Sequence, residues 1–210
     1  MRLAIFDMDG TIIDTIGDIH SCLNKTMMVY NLPISTLENT KENVGNGMRQ
    51  LVINTAGENN FIDQMETHFR AIYKQHMMDT TDIMPGFRDV LDYLEKSDIT
   101  AVILSNKIRQ ISDDMMKSFG IEKYFHEWYG GDSFNVKKPS SVGVKSIIKN
   151  LGATPSKTIM IGDSYSDILA GQGAGAKTCF CSYGYGNLKN TNADYIVDSP
   201  AELINILEAF

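Results

Sequence analysis

Leu3-Ala4-Ile5-Phe6-Asp7-Met8-Asp9-Gly10-Thr11 is the stretch on which the reading of this chain turns. Four consecutive apolar residues give way at once to two acids and a glycine, the pattern of a short buried strand that opens into a polar loop. Three later segments repeat it. Thr100–Leu104 ends in Ser105-Asn106-Lys107, Thr158–Ile161 ends in Gly162-Asp163, and Lys177–Cys181 runs into Tyr183-Gly184-Tyr185-Gly186. Amphipathic helical patterns lie between these strands. Phe87, Val90, Leu91 and Leu94 share a face, as do Ile108, Ile111, Met115 and Phe119 before Gly120, and Val144, Ile147, Ile148 and Leu151 before Gly152. A last helix is expected from Pro200, with Ser199 as its N-cap, Glu202 completing a capping box, and Leu203, Ile206, Leu207 and Phe210 as its apolar stripe.

Apolar strands alternating with amphipathic helices predict an α/β fold, a Rossmann-like parallel sheet covered by helices on both faces. Ligands in such sheets bind beyond the carboxyl ends of the strands, which is where every polar cluster just named falls. The alternation fails between about Asp14 and Asp82. Ile16, Ile19, Leu23, Met27 and Tyr30 follow helical spacing there, and Phe61, Met65, Phe69, Ile72 and Tyr73 mark another helix beyond a polar loop. The expected organisation is a catalytic core of residues 1–14 and 82–210 with a small α-helical cap of residues 15–81, Pro85-Gly86 marking the return to the core.

At 210 residues, 43% hydrophobic and 21% charged, the chain can bury one sizeable core plus a smaller lobe. The net charge of -7 argues against nonspecific nucleic-acid binding, which depends on many lysine and arginine contacts to phosphates, but leaves room for a small anion at a locally positive site. Cys22, Cys179 and Cys181 have no metal-binding spacing and read as reduced thiols. No stretch approaches the roughly 20 apolar residues that span a bilayer, and the apolar run before Asp7 is too short for a signal-peptide core. The expectation is a soluble, cytoplasmic protein without nucleic-acid or membrane partners.

Each polar cluster has an ordinary explanation when taken alone. Asp7 and Asp9 before Gly10 would suit a solvated turn. Ser105 or Asn106 would cap a helix beside a solvated Lys107, and Lys137-Lys138-Pro139 would form a surface loop. Asp163 and Asp167 would favour a helix N-terminus. Yet paired carboxylates, a hydroxyl and an amide able to grip phosphoryl oxygens, a lysine, and a second acidic pair all fall at the ends of separate strands of one sheet. Asp7, Asp163 and water would suit Mg²⁺, a cation that prefers carboxylate oxygens and keeps part of its hydration shell.

The order Asp7-Met8-Asp9-Gly10-Thr11, Ser105, Lys138 and Gly162-Asp163 through Asp167 resembles the four motifs of the haloacid dehalogenase-like superfamily, along the whole chain. The resemblance implies that Asp7 attacks phosphorus while Mg²⁺ is held by Asp7, the backbone carbonyl of Asp9, and Asp163. Asp9 would protonate the leaving alkoxide and then activate water, Ser105 and Lys138 would neutralise the phosphoryl group, and Asp167 would support the metal site or orient Lys138. An aspartate at position 9 favours phosphate-ester hydrolysis over dehalogenation.

Within that superfamily, Val44-Gly45-Asn46-Gly47-Met48-Arg49-Gln50-Leu51-Val52, Gly130-Gly131-Asp132-Ser133 and Tyr183-Gly184-Tyr185-Gly186 resemble the phosphoglycolate phosphatases. Ser140-Ser141 after the lysine-proline pair and Ile108 after Lys107 depart from their pattern. The implied partner is a small phosphorylated metabolite, contacted by Gly10, Thr11, Asn106 and Gly47, with Arg49 available for a carboxylate. Pyrophosphate, nucleoside monophosphates and sugar phosphates are alternative substrates, mutase chemistry another reaction, and a catalytically retired phosphate-binding module the non-enzymatic alternative. Oligomeric state is left open.

Overall fold

The computed structural model describes residues 1–210. Six parallel strands form the sheet: β1 (Arg2–Phe6), β4 (Ile99–Leu104), β5 (Glu127–Tyr129), β6 (Thr158–Gly162), β7 (Lys177–Cys181) and β8 (Tyr195–Val197). Their order is β5-β4-β1-β6-β7-β8. The chain thus begins in the middle and builds outward first to one side and then to the other, which makes the β4-β1-β6 triplet the switch point where an open α/β sheet leaves a crevice for ligand. Phe6 pairs with Ile103 on one side and Ile161 on the other. The residues that follow these three strands therefore emerge side by side.

Alternation along β1 divides the core. Leu3 and Ile5 meet Val102, Leu104, Met160 and α7 (Val142–Asn150) on one face. Ala4 and Phe6 join Ile103, Ile159, Ile161, α5 (Phe87–Lys96) and α9 (Pro200–Ala209) on the other. The remaining core helices are α6 (Arg109–Phe119) and α8 (Tyr165–Gly173). Gly120 ends α6 in the left-handed region at φ 62°, as its sequence position predicts. At α9 Pro200 does occupy the first turn, but the Ser199 side chain accepts no bond from the helix; the Glu202 carboxylate instead accepts from the Asp198 N–H at 3.0 Å.

The helical insertion comprises α1 (Ile16–Val29), α2 (Leu37–Asn43), α3 (Met48–Ala56) and α4 (Asp63–His76). It leaves and rejoins the sheet through a two-stranded antiparallel ribbon, β2 (Ile13–Asp14) with β3 (Asp82–Ile83). Buried Asp18 fastens this junction, accepting from Thr80 N (3.0 Å), Thr80 Oγ1 (2.6 Å), Thr81 N (3.0 Å) and Thr81 Oγ1 (2.8 Å). Burial disfavours its charge, but these bonds outweigh that and hold the Asp18 carboxyl below the usual carboxylate range. Met65, Phe69 and Tyr73 on α4 pack inward with Ile19, Leu23 and Met27 of α1, so the insertion shares one continuous apolar cluster with the sheet. No helix is long and apolar enough to cross a membrane.

Candidate active site

Asp7, Ser105 and Asp163 each follow directly on β1, β4 and β6, and all three are buried. Asp7 is fixed by its own N–H, which continues the ladder to Ile161 O at 2.8 Å. Lys138 reaches the same point from the loop before α7: its Nζ donates to Leu104 O at 2.6 Å and lies 2.8 Å from Asp7 Oδ1 and 2.6 Å from Asp167 Oδ1. Neither carboxylate oxygen receives a hydrogen bond of ordinary alignment, so the attraction is that of close charges. Asp167 uses its other oxygen to accept from Ser164 N (3.0 Å) and Ser164 Oγ (2.7 Å), which ties the first turn of α8 together while orienting Lys138. Helix capping and site chemistry, alternatives in the sequence, are here functions of one side chain.

Asp163 accepts at Oδ2 from the N–H groups of Tyr185 (2.8 Å) and Gly186 (3.1 Å). Gly10 packs directly on this carboxylate at φ +76°, where any side chain would collide with it. The strand-end glycine is therefore required by a close approach between loops. Carboxylate oxygens of Asp7, Asp163 and Asp167 lie within 4.8 Å of one another. With Lys138 the only ammonium contacting this trio, burial and mutual repulsion push the Asp163 carboxyl up to about 8. Asp7 is raised to about 6, burial outweighing the Lys138 ammonium. Buried acids crowded in this way could hold a cation that balances their charge, and their hard oxygen donors fit a divalent metal such as Mg²⁺.

Asp7, Asp9, Ser105, Asn106 and Lys107 line a cavity of about 40 Å³ closed from the insertion side by Ile19, Val44, Gly45, Gly47, Met48, Leu51, Phe69 and Tyr73. Asn106 does not present a free amide to it: Nδ2 donates to Gly45 O (2.7 Å) and Lys138 O (2.9 Å), and Oδ1 accepts from Lys138 N at 3.0 Å. Its place is that of a clamp between loops. Thr11 is fully buried and does not line the cavity; its carbonyl accepts from Tyr183 OH. Arg49 lies apart on the outer surface of the insertion, paired with Asp63 (2.8 Å) and Glu66 (3.1 Å) and stacked over Phe61. It is not among the cavity-lining residues, so the expected guanidinium for a substrate carboxylate points elsewhere.

Lys107 reverses its sequence expectation. Its side chain is 3% exposed, 2.9 Å from Asp9 Oδ1, and donates to Tyr73 OH at 3.0 Å. Burial opposes its charge, but the Asp9 carboxylate and Tyr73 hydroxyl hold the ammonium above the ordinary lysine range. Tyr185, which the sequence offers only as part of a glycine-rich loop, has two attachments: its N–H serves Asp163 while its hydroxyl donates to Asp14 Oδ1 (2.7 Å) and accepts from Thr15 N (2.6 Å).

Three strand ends and one loop lysine converging on buried carboxylates define a class, and comparison with known proteins gives it a name. Residues 4–181 match the haloacid dehalogenase-like hydrolase family, and the chain belongs to that family. Over 99% of its length it is 30% identical to the phosphoglycolate phosphatase of Aquifex aeolicus, covering 97% of that protein, and 29% identical to that of Chromobacterium violaceum, also covering 97%. In fold it superposes on a predicted phosphoglycolate phosphatase of Haemophilus somnus with TM-score 0.91, at 23% identity and 99% and 98% coverage of the two chains. A haloacid dehalogenase-like hydrolase from Streptococcus pneumoniae gives TM-score 0.89 at 22% identity, with the same coverage.

Proposed function

We propose that this phosphatase hydrolyses a compact phosphate monoester of the phosphoglycolate type, with Asp7 as nucleophile and Asp9 as acid and base. The observation that carries the reading is the placing of Asp7 at the end of the central strand, 2.8 Å from Lys138 and in the same cavity wall as Asp9 and Ser105. An Asp7 oxygen forms a bond to phosphorus as the ester P–O bond breaks, and the departing oxygen takes the electron pair together with a proton from Asp9. Asp9, now a carboxylate, then removes a proton from the water that attacks the aspartyl phosphate; the Asp7–phosphorus bond breaks, inorganic phosphate leaves, and Asp7 is restored as the carboxylate and Asp9 as the protonated acid. Lys138 and Ser105 offset phosphoryl charge throughout.

Asp7, Asp163 and the main chain at Asp9 are the groups we assign to Mg²⁺, with Asp167 in support through Lys138. The ion, when bound, supplies charge neutralisation for phosphate among these acids. Residues 15–81 act as the cap that limits substrate size, and the small, apolar-walled cavity favours a leaving group of a few atoms over a nucleoside. Glycolate, the leaving group of the phosphoglycolate for which the relatives are named, has that size. A panel of phosphate esters with Mg²⁺ or EDTA tests the reading. Highest kcat/KM on phosphoglycolate, abolished by EDTA, is expected; a preference of about tenfold or more for sugar phosphates or nucleotides would overturn the substrate assignment.

A further inference from the structure

We propose that Lys107 and Tyr73 are positioning residues for Asp9, so that the acid–base group is correctly set only while the helical insertion is seated on the core. Lys107 enters from the end of β4 and Tyr73 from the inner face of α4, where its ring stacks on Phe69 at 5.7 Å. The Lys107 ammonium bridges them, 2.9 Å from Asp9 Oδ1 and 3.0 Å from Tyr73 OH, and 4.9 Å from the Tyr73 ring centroid. Thr15 Oγ1 donates to the same Asp9 oxygen at 2.8 Å. One hydrogen bond, from Thr15, and one ion pair, with Lys107, hold Oδ1 and leave Oδ2 as the oxygen that exchanges the proton, in a residue that lines the cavity.

The pair stands apart from the cation site: Lys107 contacts neither Asp7, Asp163 nor Asp167 and is not needed to balance them. Stability alone is a poor reason for it, because a buried ion pair contributes little over an apolar pair of similar volume. A lysine held between a reacting carboxylate and a tyrosine from the other lobe has a better physical account as a means of fixing geometry, since misplacement of a proton-transfer group by about 1 Å can cost about 100-fold in rate. The inference rests on the reading of Asp9 as the acid, and the test separates the two.

The full-length protein with Mg²⁺ is assayed on ethyl phosphate, whose alkoxide must be protonated as it leaves and which offers no carboxylate to a lysine. It is assayed in parallel on p-nitrophenyl phosphate, whose phenolate leaves without a proton. Lys107→Met is expected to lower kcat/KM about 100-fold on the first ester and less than about fivefold on the second, within the range that general acid catalysis spans. Tyr73→Phe keeps the ring and removes only the hydroxyl; about tenfold and less than about twofold are expected. Equal losses on both esters would assign Lys107 to phosphate binding or to the fold, and that outcome, like no loss at all, overturns the proposal. If Lys107→Met does not fold, the Tyr73→Phe ratio decides alone. Asp9→Asn distinguishes the two levels of failure. Full ethyl phosphate activity in Asp9→Asn sinks the acid–base reading itself, whereas a selective Asp9→Asn loss beside indifferent Lys107 and Tyr73 variants sinks only the positioning.

Discussion

Asn106 Nδ2 donates to the carbonyl oxygen of Gly45 at 2.7 Å, joining the loop after a core strand to the loop that opens the third helix of the insertion. The same side chain exchanges two bonds with the Lys138 backbone, so the seating of the insertion and the placing of Lys138 share one residue. Tyr165 OH to Asn46 Oδ1 at 3.2 Å is a second contact across the seam.

Asn106→Ala should therefore affect both lobes. Loss of three buried hydrogen bonds is expected to cost about 2–3 kcal/mol in urea unfolding, and kcat/KM should fall by about tenfold or more through displacement of Lys138. A variant with wild-type kinetics would show that the clamp has no catalytic consequence.

Metal binding should depend on pH in a defined direction. The Asp163 carboxyl at about 8 and Asp7 at about 6 lie above the unfolded value of about 4. Stability that the metal-free protein has below that unfolded value is thus lost as pH rises through the folded values, and Mg²⁺ no longer competes with a proton on the alkaline side. Saturating Mg²⁺ should raise Tm by about 5–10 °C near pH 8 and by clearly less near pH 6. A shift independent of pH, or none, contradicts the assigned site.

Asp18 has the opposite sign. Its folded pKa is depressed, so its contribution is present above the unfolded value and lost as pH falls through the folded one. Asp18→Ala removes the acceptor for four donors at the junction of the two lobes and should destabilise by about 2–4 kcal/mol at neutral pH. Urea unfolding at about pH 7 and about pH 3 should show the gap from wild type shrinking in acid; a gap that stays constant rules out the carboxylate as its source.

Why some of this was legible in the sequence follows from distance along the chain. Asp7, Ser105 and Asp163 end uninterrupted apolar runs, and a parallel sheet places such ends together without further information. The edge strands Glu127–Tyr129 and Tyr195–Val197 are three residues long and only partly buried, too short to leave a pattern. Lys107 escaped notice because its burial depends on Asp9 and Tyr73, contributed by two remote segments, and one sequence shows no side-chain directions. Arg49 shows the converse. It sits beside a loop that lines the cavity, yet Asp63 and Glu66 on the next helix draw it to the outer surface.

The nucleophile is the centre of the account, and trapping it is the most direct test. After rapid acid quench of enzyme, Mg²⁺ and ³²P-labelled phosphate ester, the label should appear as a hydroxylamine-sensitive acyl phosphate on the peptide carrying Asp7, and Asp7→Asn should retain its fold, trap no label and lose turnover. Turnover by Asp7→Asn at the wild-type rate, or label on another residue, would contradict it.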